Sequence, residues 1–72
     1  MEYTIILQPW DDSEGYTVIV PSLPGCITQG STKEEALANA KEAIMCHIEG
    51  LRKAGEAIPV EGSKPELAQV AI

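Results

Sequence analysis

The run over residues 15–36, Gly-Tyr-Thr-Val-Ile-Val-Pro-Ser-Leu-Pro-Gly-Cys-Ile-Thr-Gln-Gly-Ser-Thr-Lys-Glu-Glu-Ala, constrains the fold more than any other part of the chain. Pro21 and Pro24 remove backbone donors and hold φ near about −65°, Gly25 permits a left-handed residue, and alternating apolar residues flank the turn. Ser31 then stands three residues before Glu34, the spacing of a capping box, which also sets Glu34 and Glu35 at the positive end of a helix. Strand, forced turn, strand and helix start therefore follow one another without a gap.

The rest of the chain extends this unit on both sides. Residues 3–8, Tyr-Thr-Ile-Ile-Leu-Gln, are β-branched and apolar and read as a first strand that Pro9 ends. Turn formers and acids in Trp-Asp-Asp-Ser-Glu-Gly, residues 10–15, make an exposed connection to a second strand over 15–20. A short third strand over 26–29 completes an antiparallel meander. Leu37, Ala40, Ile44, Ile48 and Leu51 recur at helical spacing, widened by Ala36 and Ala43, so one helix should lay this stripe on the sheet and stop near Ala54, before Gly55. Beyond the Pro- and Gly-containing connection over 58–65, residues 66–72 are expected to add a fourth strand. The fold class is thus α+β: a three-stranded antiparallel meander plus a C-terminal strand, with one helix on one face, in the order β-β-β-α-β, forming a single domain over residues 1–72.

Size and charge narrow the functions. A chain of 72 residues buries only about 60% of its unfolded surface, so association would help it. Tyr3, Ile5 and Leu7 share one face of the first strand and Ile6 the other; Tyr16, Val18 and Val20 likewise oppose Ile19. A single helix covers one face of such a sheet, so the other is expected to be buried in a homodimer or homotetramer. Eleven acidic residues against five basic ones give a net charge of −6, which disfavours direct nucleic-acid binding and suits a basic protein partner. No apolar run reaches the roughly 20 residues that span a bilayer, and the start lacks the basic residues of a signal peptide, so a cytoplasmic protein with no membrane contact is expected. Cys26 and Cys46 both fall within apolar patterns and read as core thiols.

Residues 16–30, with the turn Pro-Ser-Leu-Pro-Gly-Cys and the strand end Thr-Gln-Gly, lead into Ser-Thr-Lys-Glu-Glu-Ala-Leu-Ala-Asn-Ala-Lys-Glu-Ala-Ile. In motif order and spacing this resembles the HicB family of bacterial antitoxins, and with the first strand and the Ile58-Pro59 exit the resemblance covers nearly the whole chain. It implies a partial RNase-H-like fold. It also implies binding and neutralisation of a small basic toxin of the HicA kind, an mRNA-cleaving protein whose RNA-binding surface the antitoxin occludes. Many HicB proteins continue into a helix-turn-helix or ribbon-helix-helix module; here no basic segment precedes the end at Ile72, so a short form without DNA-binding module is expected. The family often carries an acid between Pro and Leu of the turn, where this chain has Ser22; if that acid touches toxin, one contact is missing here.

No catalytic constellation competes with a binding role. A two-metal nuclease needs carboxylates converging from strands, but Asp11, Asp12 and Glu14 lie in one loop, Glu34 and Glu35 at a helix start, and the strand interiors carry no acid. His47 beside Cys46, even with Cys26, supplies too few ligands for zinc and no third group for a nucleophile pair. Gly25 and Gly30 lack the Lys-Ser/Thr of a phosphate cradle, so no cofactor or metal is expected. Trp10 either anchors a partner or packs beneath its own loop, and Asp11, Asp12 and Glu14 beside it can steer a basic surface. Trp10, Asp11, Asp12, Glu14 and Ser22 are therefore the candidate partner-binding residues, with a toxin-free oligomeric adaptor or ligand-binding domain of the same fold as the alternative.

Overall fold

The computed structural model describes residues Met1–Ile72. Strands β1 (Ile6–Pro9), β2 (Tyr16–Ile19) and β3 (Ile27–Gly30) precede helix α1 (Lys33–Lys53). The strands lie side by side in the order β1-β2-β3, each antiparallel to the next. The architecture is α+β, a three-stranded meander with one helix.

The register decides what each face carries. Leu7 pairs with Val18 and Val18 with Thr28, while Ile6 pairs with Ile19 and Ile19 with Ile27. Side chains alternate across a pleated strand, so the first rung faces α1 and the second places three isoleucines in a row on the opposite face. Val18 is fully buried beneath Ala36 and Ala40. On the other face Ile27 is 62% exposed.

Two successive tight turns join β2 to β3. The Leu23 amide donates to the Val20 carbonyl at 3.0 Å and the Cys26 amide to the Leu23 carbonyl at 2.9 Å. Pro21 and Pro24 occupy the second position of each turn, and Gly25 has φ +85°, the signature of a type II turn whose third position excludes a β-carbon. The double turn drives Leu23 inward, where it is fully buried with Val20 and Cys26. Burying a leucine this completely contributes about 1.5–3 kcal/mol.

Helix α1 lies chiefly over β3 and less over β2. A β-carbon on Gly30 would stand 2.3 Å from the Ala36 amide nitrogen, so glycine on the strand and alanine on the helix set how closely they meet. Asn39 Nδ2 also donates to the Gln29 carbonyl at 2.7 Å, closing part of the edge of β3. The helix ends in a Schellman arrangement: Glu56 N–H donates to Leu51 O and Gly55 N–H to Arg52 O, with Gly55 at φ +72°.

Four expectations are corrected. The helix cap is Thr32, whose hydroxyl accepts from the Glu35 amide at 3.1 Å while the Glu35 carboxylate accepts from the Ser31 amide at 3.0 Å; the capping spacing is shifted one residue from Ser31 and Glu34. Leu37 is 46% exposed and the buried helix positions are Ala36 and Ala40, because the close approach at Gly30 leaves room beneath α1 only for small side chains. Cys46 is exposed on α1, whereas Cys26 is buried, and both are free thiols. The fourth strand over 66–72 is not formed: α1 is the last regular element. Pro59 and Pro65 lack ladder donors, and the Thr4 amide is taken by the Glu61 side chain at 2.6 Å instead of a backbone carbonyl.

Candidate functional site

The connection between β1 and β2 is pinned by its own tryptophan. The Trp10 amide donates to the Gly15 carbonyl at 3.0 Å, and the indole Nε1–H donates to Thr17 Oγ1 at 2.9 Å. The ring lies so close over Gly15 that a β-carbon there would fall 2.3 Å from Trp10 Cε3. Trp10 is half-buried and packs on its own loop, which holds Asp11, Asp12, Ser13 and Glu14 out in solvent.

This loop meets the start of α1. Trp10, Ser13 and Glu14 line one side of a shallow polar cleft, with Thr32, Lys33 and Glu34 on the other. Asp11 and Asp12 stand in the same loop outside the cleft wall. Five carboxylates, of Asp11, Asp12, Glu14, Glu34 and Glu35, and the single ammonium of Lys33 thus collect at one end of the molecule. Like charges gathered this way attract a cationic surface at long range, while the N-terminal amides of α1 temper their mutual repulsion. The contribution of Glu34 follows from topology, since β3 brings the helix start back beside the first loop.

Ser22 belongs to the opposite end. Strand β2 separates it from the acidic loop, a span of about 13 Å at 3.3 Å per residue. Its hydroxyl lies 3.5 Å from Glu61 Oε1, at the fringe of a stronger contact in which Glu61 accepts from the Thr4 amide at 2.6 Å and from Thr4 Oγ1 at 2.7 Å. Sequence reasoning did not single out Glu61, because its main partner lies 57 residues away. The Thr4 amide, then the Thr4 hydroxyl, hold the Glu61 carboxyl below the usual range by stabilising its charged form. Tyr3 Oη donates to the Pro59 carbonyl beside it, so residues 59–61 are fastened along residues 3–4.

No three His, Cys, Asp or Glu side chains come together as metal donors. Burial raises the pKa of the Cys26 thiol, which disfavours the thiolate a nucleophile needs. No helix is long and apolar enough to cross a membrane. An acid-rimmed cleft on a one-helix, three-strand scaffold has the features of a small protein-binding module. The chain matches the model of the HicB-like antitoxins of bacterial toxin–antitoxin systems over residues 3–71, and it belongs to that family. A UPF0150 protein of Thermoplasma acidophilum is 52% identical over 65 residues, covering 89% of this chain and 91% of that protein. An uncharacterised protein of Haemophilus phage HP1 is 48% identical over 59 residues, 82% of this chain and 43% of the phage protein. Antitoxin HicB 1 of Photorhabdus laumondii is 39% identical over 62 residues, 86% of this chain and 39% of the antitoxin. The chain thus spans about two fifths of the length of the named HicB antitoxin.

Proposed function

We propose that this chain is an antitoxin that binds a small basic HicA-like mRNA-cleaving toxin and occludes its RNA-binding surface. The observation that carries the reading is that Glu14 and Glu34 line one cleft, with Asp11 and Asp12 exposed in the adjoining loop, on a chain with net charge −6. A surface that grips RNA phosphates is basic, so an acidic cleft competes for the same charges. Trp10 supplies rigid apolar area at the rim, and Ser22 forms a second contact point at the far end of β2. On this reading residues 1–72 act as one domain of partial RNase-H-like outline in the cytoplasm, where the messenger substrates of such a toxin are found.

The row Ile6, Ile19 and Ile27 provides the surface for self-association as a homodimer or homotetramer. A bare sheet face with three β-branched residues in register is the kind of apolar surface that a second copy covers. The test of the main reading is co-expression with a neighbouring short gene for a Lys-rich product bearing one central histidine. Growth is restored and the two proteins copurify; absence of both outcomes overturns the antitoxin reading. The triple variant Asp11→Lys, Asp12→Lys, Glu14→Lys weakens toxin binding at least about tenfold, chiefly through a slower on-rate that is sensitive to salt. Unchanged binding removes the acidic loop from the interface.

A further inference from the structure

The same chain carries an open apolar groove and an apolar segment that leaves it unfilled. Between α1 and residues 1–5, Tyr3, Ile5, Leu37, Ala40, Ile44, Met45 and Ile48 line a groove of about 430 Å³. Lys41 is its only charged wall residue. Residues 66–72, by contrast, present Leu67 at 85% exposure, Val70 at 86% and Ile72 fully to solvent.

The chain is anchored beside the groove, yet none of residues 66–72 lines it. Tyr3 both lines the groove and donates to the Pro59 carbonyl, and Glu61 accepts from Thr4, so the chain departs from the groove rim at a fixed point. The whole molecule measures 40 Å along its longest axis, with a radius of gyration of 13.6 Å. A compact chain of this length has a radius of gyration of about 11 Å. The excess and the exposed Leu67, Val70 and Ile72 describe an arm reaching outward, with a receptor of matching apolar chemistry on every copy.

We propose that residues 66–72 of one copy seat Leu67 and Val70 in the groove between α1 and residues 1–5 of a second copy, and that the two chains exchange arms about a twofold axis. An exchange of this kind is self-complementary: each copy gives one arm and receives one, and the contact closes at two chains. It uses the helix face of the molecule and leaves the isoleucine row free. The inference goes beyond toxin binding and does not rest on it.

Cross-linking on the full chain tests this, with Cys46→Ser in every variant to remove the exposed native thiol. A tagged copy carrying Met45→Cys is mixed with an untagged copy carrying Val70→Cys and treated with a short bis-maleimide. A band of mixed mass is expected, at least ten times stronger than that from Ile27→Cys mixed with Val70→Cys. No mixed band, or equal bands from the two pairs, overturns the exchange. A Met45→Cys, Val70→Cys double variant that closes only within one chain also overturns it, because the arm then serves its own groove. As an independent readout, Val70→Asp keeps the helical circular dichroism but weakens self-association at least tenfold in sedimentation equilibrium. An unchanged association constant sinks the proposal.

Discussion

On its β3 flank, α1 comes so close to the sheet that Gly30 has no room for a β-carbon and Ala36 is sealed, whereas on its β1 flank Leu37 is 46% exposed and the groove stays open. One helix and one sheet thus make a shut side and an open side. The difference lies in residue size. Small side chains on the shut side bring the helix axis over β3, and the larger Leu37 and Met45 are left exposed beyond the cover that short β1 provides. A stability role on one flank and a docking role on the other follow from the same tilt.

Substitutions on the two flanks should separate accordingly. Gly30→Val drives a side chain into the Ala36 backbone and costs about 3 kcal/mol or more, read as loss of a cooperative thermal transition. Ala36→Leu overpacks the same side and costs about 1–3 kcal/mol in urea unfolding. Thr32→Ala removes the hydroxyl that accepts from the Glu35 amide and costs about 1 kcal/mol, measured in the same way. Leu37→Ala, on the open flank, shifts monomer stability by less than about 0.5 kcal/mol; an effect as large as that of Ala36→Leu would erase the distinction between flanks.

The smallest effect concerns acid. Glu61 has a lowered pKa in the folded chain, so its contribution is present above the ordinary carboxylate value and is lost as pH falls through the lower folded value. The Thr4 amide resonance is expected to move on that acid limb and to be flat with pH in Glu61→Gln. The melting temperature of the whole chain is expected to track this titration weakly.

Much of the architecture was legible because it is written in local chemistry. Pro21, Pro24 and Gly25 admit few backbone paths, and the meander with a helix follows from them. The cap was harder for a concrete reason: Ser31 and Thr32 both have a glutamate three residues on, and only the packing of Gly30 against Ala36 selects the second pair. Leu37 misled because helical period alone does not say where the centre of the buried stripe lies. Glu61 and Thr4 meet across nearly the whole chain, and no spacing signal announces such a contact. Within the candidate site, the acidic loop was readable from composition. Its junction with Glu34 and its separation from Ser22 depend on how β2 and β3 run.

The Gly30 joint has a kinetic consequence. It is made by residues only six positions apart, so its entropy of closure is small, and every other packed neighbour in the meander can be added in chain order. The transition state is expected to hold this corner as its nucleus, with φ-values higher at Ala36 and Val18 than at Leu7. A molecule organised in this way assembles first the part that holds the acidic loop beside the helix start, and leaves its outermost strand and its arm to condense last.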